Sequence, residues 1–352
     1  MTAIYIRDQK ISYVQLLQWI EKRTVVDPIF PVTRTLDCVL NILTCWIKGI
    51  PFFPYSPLLL KKPSVTFNPG SDLILHSSGS FQMKYIQLTK KGFIESIINT
   101  HKAFILEEDD VYLLNLPLYH VAGIAILLRA FLRGGSIAIE PNDPSIITHL
   151  SMVPSQTEIL KEKNPFPHLK ALLLGGSKIP TDLADFLVDN HYPLYVTYGM
   201  TETYSHVFVE KYQKGEGVFF RQPLKGRKVF INDQGILFVK LFCMNEFYNT
   251  KDRFSFKEGK YRYIEREDAM FISGGENIYP EEITQALFKI PGIKKVDIEI
   301  KEDLKWGNRP FVTIYTDKPT SLSSIKGSLA LLLEKFKIPK DHEIALYSLD
   351  PF

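Results

Sequence analysis

Short apolar runs alternate along this chain with longer stretches in which apolar residues recur every three or four positions, the helical spacing. Residues 72–76 (DLILH), 111–116 (VYLLNL), 136–140 (SIAIE), 170–174 (KALLL) and 194–198 (LYVTY) are apolar runs closed by Gly, Pro or Ser-rich turns. Each reads as a strand. Between them, 89–102 sets Phe93, Ile97 and Ile98 on one helical face, 123–133 is an apolar helix and 181–190 is another. Continuous apolar strands separated by helices of about 10–15 residues predict a mostly parallel sheet with helices on both faces.

The texture changes after about residue 225. Residues 228–240 read as a hairpin around Asn232-Asp233-Gln234-Gly235, and 253–264 as a second around Glu258-Gly259. Beyond them lie a helix at 280–289, strands near 296–301 and 311–316, a helix at 321–336 and a strand at 343–348. That is an α+β unit of about 85 residues, large enough to fold alone. The expected class is therefore α/β. A large N-terminal domain (1–265), with mostly parallel sheets flanked by helices, carries a small antiparallel β subdomain at about 225–265. A small C-terminal α+β domain (266–352) follows, with the boundary in Glu265-Arg266-Glu267-Asp268.

Composition narrows the class. The 352 residues exceed what one core usually serves. Apolar residues at 45% and charged residues at 23% exclude long disorder. Lys+Arg 42 against Asp+Glu 39 leaves a net charge of +3, too even for a nucleic-acid surface, so no nucleic-acid partner is expected. The three cysteines (Cys38, Cys45, Cys243) form no CxxC pair, which argues against a disulfide framework or structural zinc and fits the reducing cytoplasm. The N-terminus lacks the apolar run of a signal peptide. The longest apolar stretch, Val121 to Leu132, is broken by Arg129 and too short to span a bilayer, so no membrane insertion is expected. A homo-oligomer is compatible with this composition.

Chemistry concentrates in turns at strand ends, where parallel sheets bind ligands. His76-Ser77-Ser78-Gly79-Ser80, followed by Lys84, could turn backbone N–H groups and a cation toward an anion; on composition alone it also reads as a surface turn. His120, in Pro117-Leu118-Tyr119-His120-Val121-Ala122-Gly123, follows an apolar strand; it either faces a pocket or caps the next helix. In Tyr198-Gly199-Met200-Thr201-Glu202-Thr203 the glycine permits a sharp turn, Thr201 can bond a phosphate and Glu202 can hold Mg²⁺. The same residues also suit a helix start with Thr201 as cap and Glu202 meeting the dipole. In Ser273-Gly274-Gly275-Glu276-Asn277-Ile278-Tyr279-Pro280-Glu281-Glu282-Ile283, Pro280 and the two glutamates explain a helix start. The adjacent Gly274 and Gly275 imply that something approaches the backbone closely.

In this order and spacing the four turns resemble the adenylate-forming superfamily of acyl-CoA synthetases. The resemblance runs from Ile11-Ser12-Tyr13 to about Pro339, and YGMTET and SGGENIYPEEI are its most specific parts. Within the superfamily the chain is most similar to the o-succinylbenzoate–CoA ligases of menaquinone synthesis. That match rests on Leu116 to Gly123 with Arg129 six residues on, Met152 to Gln156, Leu172 to Ser177, Gly199 to Ser205 and Trp306 to Pro310.

The resemblance implies ATP, Mg²⁺ and coenzyme A, and a carboxylic acid substrate, with o-succinylbenzoate favoured. The acid's carboxylate attacks the α-phosphate of ATP to give an acyl-adenylate and pyrophosphate; the thiol then displaces AMP. By motif position, Ser77, Ser78, Gly79, Ser80 and Lys84 are the phosphate loop, Thr201 contacts the α-phosphate and Glu202 helps bind Mg²⁺. Gly175, Gly176, Ser177, Tyr198 and Gly199 flank the adenine. Asp252 takes the ribose hydroxyls, a bidentate match, and Arg266 reaches the nucleotide. Asp268 is the hinge of a mobile C-terminal domain, Gly274 and Gly275 approach the pantetheine, and His120 closes the acyl pocket. Arg129, an arginine in an apolar segment, is the candidate for the acid's second carboxylate; its bland role is a snorkelling surface residue.

Two departures lower the adenylation expected. Ser80-Phe81-Gln82-Met83-Lys84 lacks the family's second glycine and proline, and Phe81 and Gln82 would crowd the loop. The family's C-terminal Gly-Lys motif has no counterpart before Phe352, as if the second domain were truncated at its end. A synthetase for another aromatic or fatty acid, or a degenerate protein that binds nucleotide or acyl-adenylate, are the alternatives to a working ligase.

Overall fold

The computed structural model of the chain describes residues 1–348 other than 34, 58–61, 77–84, 163, 267–270, 274–275 and 304–305. The chain divides into two compact units, Met1–Thr250 with Phe254–Tyr263, and Lys251–Arg253 with the chain from Ile264 onward.

The first unit opens with β1 (Thr2–Ile6), β2 (Gln9–Ser12), α1 (Tyr13–Lys22), β3 (Ile29–Pro31), α2 (Leu36–Lys48) and β4 (Phe53–Tyr55). Next come β5 (Leu73–His76), β6 (Tyr85–Leu88), α3 (Lys90–His101), β7 (Val111–Leu113), α4 (Val121–Arg133), β8 (Ser136–Ile139) and β9 (His149–Met152). After the short α5 (Ile159–Glu162) follow β10 (Ala171–Leu174), α6 (Thr181–Asp189), β11 (Leu194–Met200) and β12 (Ser205–Lys211).

Eight of these strands form one sheet in the order β12-β11-β10-β9-β7-β8-β1-β2. Neighbours from β11 to β1 run parallel, and β12 and β2 are antiparallel edges. Every residue of β8, β9 and β10 is buried, as strands covered on both faces require. Helix α4 is apolar nearly all round, and Gly123 to Ala130 are all buried, so it belongs to the core rather than to a surface layer. The early helices start and stop on local signals. Ser12 and Gln15 form a reciprocal capping box at α1, and Gly49 ends α2 with a left-handed φ of 65°.

The strand expected at 72–76 forms, but outside the parallel sheet. β5 pairs antiparallel with β6, His76 opposite Tyr85. Leu73 and Leu75 face the main core while Ile74 packs with Phe53 and Tyr55 in a small separate one. A strand buried on both faces by two cores has the same apolar signature as a parallel one.

Strands β13 (Arg227–Ile231), β14 (Ile236–Leu241), β15 (Tyr248–Lys257) and β16 (Lys260–Arg266) form a four-stranded sheet in chain order. Its first hairpin sits at the expected place, with Asn232 Oδ1 accepting from the amides of Gln234 and Ile236 at 3.1 and 2.8 Å.

The second unit contains β17 (Phe271–Ser273), β18 (Glu276–Ile278), α7 (Pro280–Phe288), β19 (Ile293–Asp303), β20 (Gly307–Thr316), α8 (Leu322–Leu332) and β21 (Ile344–Ser348). Strand β20 pairs with β17, β19 and β21, and α7 and α8 contribute Ile283, Leu287, Ile325 and Leu329 to the unit's own core. The helix expected to reach residue 336 stops at Leu332. Leu333 is extended, with φ −133°, and Arg309 draws the carbonyls of Phe336 and Ile338 to 3.3 Å, which a continuing helix would not offer. The fold is thus the α/β class expected. Among the described residues no helix is long and apolar enough to cross a membrane.

Candidate active site

Two strand ends in the first unit are shaped by glycine. A Cβ on Gly175, just past β10, would lie 2.2 Å from Thr197 Oγ1, and that hydroxyl donates to the Leu174 carbonyl at 3.1 Å. Gly176 has a φ of +80°, and Ser177 beyond it is exposed. On β11 a bulge falls between Tyr198 and Gly199, and a Cβ on Gly199 would meet the Ser205 carbonyl at 1.8 Å. Only glycine tolerates such approaches. The Tyr198 ring stands edge-on to Phe254 with centroids 4.8 Å apart.

The bulge delivers the chain into a single 3₁₀ turn, Thr201–Thr203, rather than into a helix. Thr201 is not its cap. Thr203 makes the bonds instead, accepting from the Met200 amide at 3.1 Å and donating to the Ser205 carbonyl at 3.0 Å. Glu202 is half-buried, and Tyr248 Oη donates to its Oε1 at 3.1 Å. One carboxylate oxygen is thereby oriented, and an oriented hard oxygen donor is what Mg²⁺ prefers.

His120 occupies the N-cap position of α4 but makes no side-chain cap bond, so the capping role does not account for it. Its ring lies 4.5 Å from that of Tyr119. A Cβ on Gly123 would meet the Pro117 carbonyl at 2.2 Å, so the loop bearing His120 folds back against the helix.

Arg129 is 4% exposed, which excludes the snorkelling role. Its Nη2 donates to Ser205 Oγ at 3.1 Å and to His206 Nδ1 at 3.2 Å, and its Nε is buried with no partner among the described residues. A guanidinium only donates, so His206 accepts at Nδ1 and carries its proton on Nε2. Burial, with the charges of Arg129 and Arg227, holds the His206 pKa well below the usual histidine range. Burial also lowers the pKa of Arg129, against the opposing pull of Tyr112. Tyr112 in turn shares a hydrogen bond of 2.6 Å with Ser151. Among the described residues no carboxylate forms an ion pair with Arg129 or Arg227.

Asp252 and Arg266 belong to the second unit, where Arg266 Nη1 lies 3.5 Å from Asp252 Oδ1 and Asp252 is 4% exposed. Ser77, Ser78, Gly79, Ser80, Lys84, Asp268, Gly274 and Gly275 lie outside the described residues. Sequence reasoning overlooked Tyr248, Arg227 and His206. Tyr248 and Arg227 stand in the β-rich segment with no motif around them. His206 directly follows the YGMTETYS stretch, so adjacency was the available signal.

Residues 73–235 match the AMP-binding enzyme family. The 2-succinylbenzoate–CoA ligase of Haemophilus influenzae is 34% identical over 265 residues, covering 68% of this chain and 57% of that protein. The chain thus spans little more than half the length of that relative. The 2-succinylbenzoate–CoA ligase of Enterococcus faecalis is 26% identical over 345 residues, covering 84% of this chain and 71% of its own. Among solved structures, an Escherichia coli MenE variant with bound OSB-AMS superposes with a TM-score of 0.74 at 21% identity, covering 100% of this chain and 92% of the other. The o-succinylbenzoate coenzyme A synthetase of Bacillus subtilis with ATP and magnesium gives 0.69 at 19% identity, covering 99% and 93%. At these identities the superpositions establish the fold.

Proposed function

We propose that this protein is an AMP-forming acid–CoA ligase that activates o-succinylbenzoate. The observation that carries the choice of acid is Arg129: a buried guanidinium with only neutral partners and one unpartnered N–H. A buried cation in that state is costly unless an anion completes it. A monocarboxylic acid spends its carboxylate on the reaction and leaves nothing for Arg129. A dicarboxylic acid has a second to give. The ligases of Haemophilus and Enterococcus named above support the same reading.

In the first step a carboxylate oxygen of the acid attacks the α-phosphorus of ATP, and the bond to the bridging oxygen breaks as pyrophosphate leaves. In the second the coenzyme A thiolate attacks the acyl carbon, and the bond to the AMP oxygen breaks. Both reactants of the first step are anions, so the site must lower repulsion and fix geometry. Thr201 would orient the α-phosphate. Glu202, held by Tyr248, would bind Mg²⁺, which supplies charge neutralisation at the phosphates. Gly175, Gly176 and Ser177 with Tyr198 and Gly199 would flank the adenine. Asp252 and Arg266 would take the ribose and phosphate side of the nucleotide. Ser77, Ser78, Gly79, Ser80 and Lys84 would form the phosphate loop. His120 would close the acyl pocket. Gly274 and Gly275 would admit the pantetheine once a rotation about Asp268 had changed the orientation of the C-terminal domain.

Purified protein should release pyrophosphate from ATP only when o-succinylbenzoate is present. Release with monocarboxylic aromatic or fatty acids alone would replace the acid but keep the chemistry. No acid-dependent release, together with a thermal shift on adding an acyl-adenylate analogue, would make the chain a binding protein. Because Ser80-Phe81-Gln82-Met83-Lys84 lacks the second glycine and the proline expected of the phosphate loop, preformed acyl-adenylate plus coenzyme A should yield thioester faster than adenylate is made from ATP.

A further inference from the structure

Arg227 has no part in the chemistry above, yet it is as buried as Arg129. It is the first residue of β13 and is 6% exposed. Its Nε donates to the His206 carbonyl at 2.8 Å, its Nη2 to Ser96 Oγ at 2.8 Å and its Nη1 to the Lys225 carbonyl at 3.2 Å. Ser96, on α3, passes the interaction on by donating to the Tyr204 carbonyl at 2.7 Å. One guanidinium thus grips the carbonyls on both sides of Ser205, directly at His206 and through Ser96 at Tyr204.

What it grips is strained. Tyr204 and Ser205 have φ values of 54° and 89°, and both are non-glycine residues in the left-handed region. Such a backbone persists only where its surroundings over-determine it. The strained pair follows the Thr201–Thr203 turn immediately and leads it into β12. Elsewhere the turn is held by the Thr203 bonds and by the fit of Gly199 against the Ser205 carbonyl. A strut of this kind needs no charge, and burying one is unfavourable: desolvation and the Arg129 charge push the Arg227 pKa down to about 10. The guanidinium is suited to the task because its fixed planar fork reaches three acceptors at once.

We infer that Arg227 is a positioning residue for the reaction, acting through Ser96 and the Tyr204-Ser205 backbone to hold Thr201 and Glu202 where the phosphates are bound. This rests on the ligase reading, and the test separates the two. In the full-length chain, Arg227→Met and Ser96→Ala are compared with wild type by amide hydrogen exchange over residues 201–206 and by steady-state kinetics with ATP, Mg²⁺ and o-succinylbenzoate. Exchange in that segment should quicken at least about tenfold while β8 and β10 stay protected. The kcat should fall about 10- to 100-fold with the KM for the acid within about twofold of wild type. Arg227→Lys, which keeps N–H donors on a single nitrogen without the planar fork, should recover part of both. If Arg227→Met fails to fold, Ser96→Ala leaves the guanidinium in place and still cuts the link to Tyr204. Unchanged exchange over 201–206, or a rise in KM with unchanged kcat, would overturn the inference. An inactive wild type would sink the ligase reading alone, since the exchange measurement does not need turnover.

Discussion

Arg129 and Arg227 in the first unit and Arg309 in the second are buried to within two percentage points of one another, at 4%, 6% and 5% exposure. Their partners differ in kind. Arg309 donates Nε and Nη2 to the two oxygens of Glu343, both at 2.8 Å, and its remaining N–H groups reach Ser273 Oγ and two carbonyls. It brings its own counter-charge and is complete. Arg129 and Arg227 are met by hydroxyls, carbonyls and an imidazole, so their charge is left uncancelled inside the fold. A buried arginine paired bidentately with a carboxylate, like Arg309, or spread over three backbone and hydroxyl acceptors, like Arg227, is a device of architecture; Arg129, with neutral acceptors and an unpartnered Nε, keeps its field available to a ligand.

Breaking the complete pair gives the largest expected effect. Arg309→Met should destabilise the second unit by about 3–5 kcal/mol, because Glu343 is left buried and unpaired, whereas Arg129→Met should cost about 1 kcal/mol or less. Denaturant titration with exchange protection read separately for β20 and β10 measures both. Equal losses would erase the distinction. The pair also predicts a pH response. Burial alone would raise the Glu343 pKa, but the Arg309 bonds and the Lys340 amide outweigh it and the value lies below the ordinary 4.5. Its stabilisation is therefore complete above that value and is lost as pH falls through the lower folded value. Acid titration should loosen β20 and β21 in wild type, with this component absent in Arg309→Met.

At the site itself, Glu202→Gln should lower kcat by about 10²–10³, the size seen when a preorganised electrostatic partner of a transition state is removed. The apparent Mg²⁺ requirement should rise in the same variant. Arg129→Ala comes next. It should raise KM for o-succinylbenzoate about 10- to 100-fold, the worth of a hydrogen bond to a charged group, while the KM for ATP stays within about twofold. Equal effects on both substrates would remove Arg129 from acid recognition and leave it unexplained. The smallest change belongs to Tyr248→Phe, which removes one bond to Glu202 and should reduce kcat about two- to tenfold.

Motif turns were the most legible part of the candidate site. Gly175, Gly199, Thr201 and Glu202 announce themselves because glycines beside small hydroxyl and acidic residues at a strand end are a local pattern. What holds them is not local. Tyr248 reaches Glu202 across 46 positions, Arg129 reaches Ser205 across 76, and Arg227 reaches Ser96 across 131. The misplacement of 72–76 has the same origin. DLILH shows that both faces are buried, and nothing in it says that Phe53 and Tyr55, rather than the parallel sheet, bury one of them.

The sequence by itself determined the alternation of strands and helices, the two hairpins, the glycines where backbones meet and the oddity of an arginine inside an apolar helix. Each is set by the conformational range and solubility of residues close together in the chain. Only the tertiary structure decided which buried cations are cancelled and which are not. Desolvation, pairing and backbone strain are properties of what surrounds a side chain in space, and for Arg129, Arg227 and Arg309 those surroundings come from distant segments.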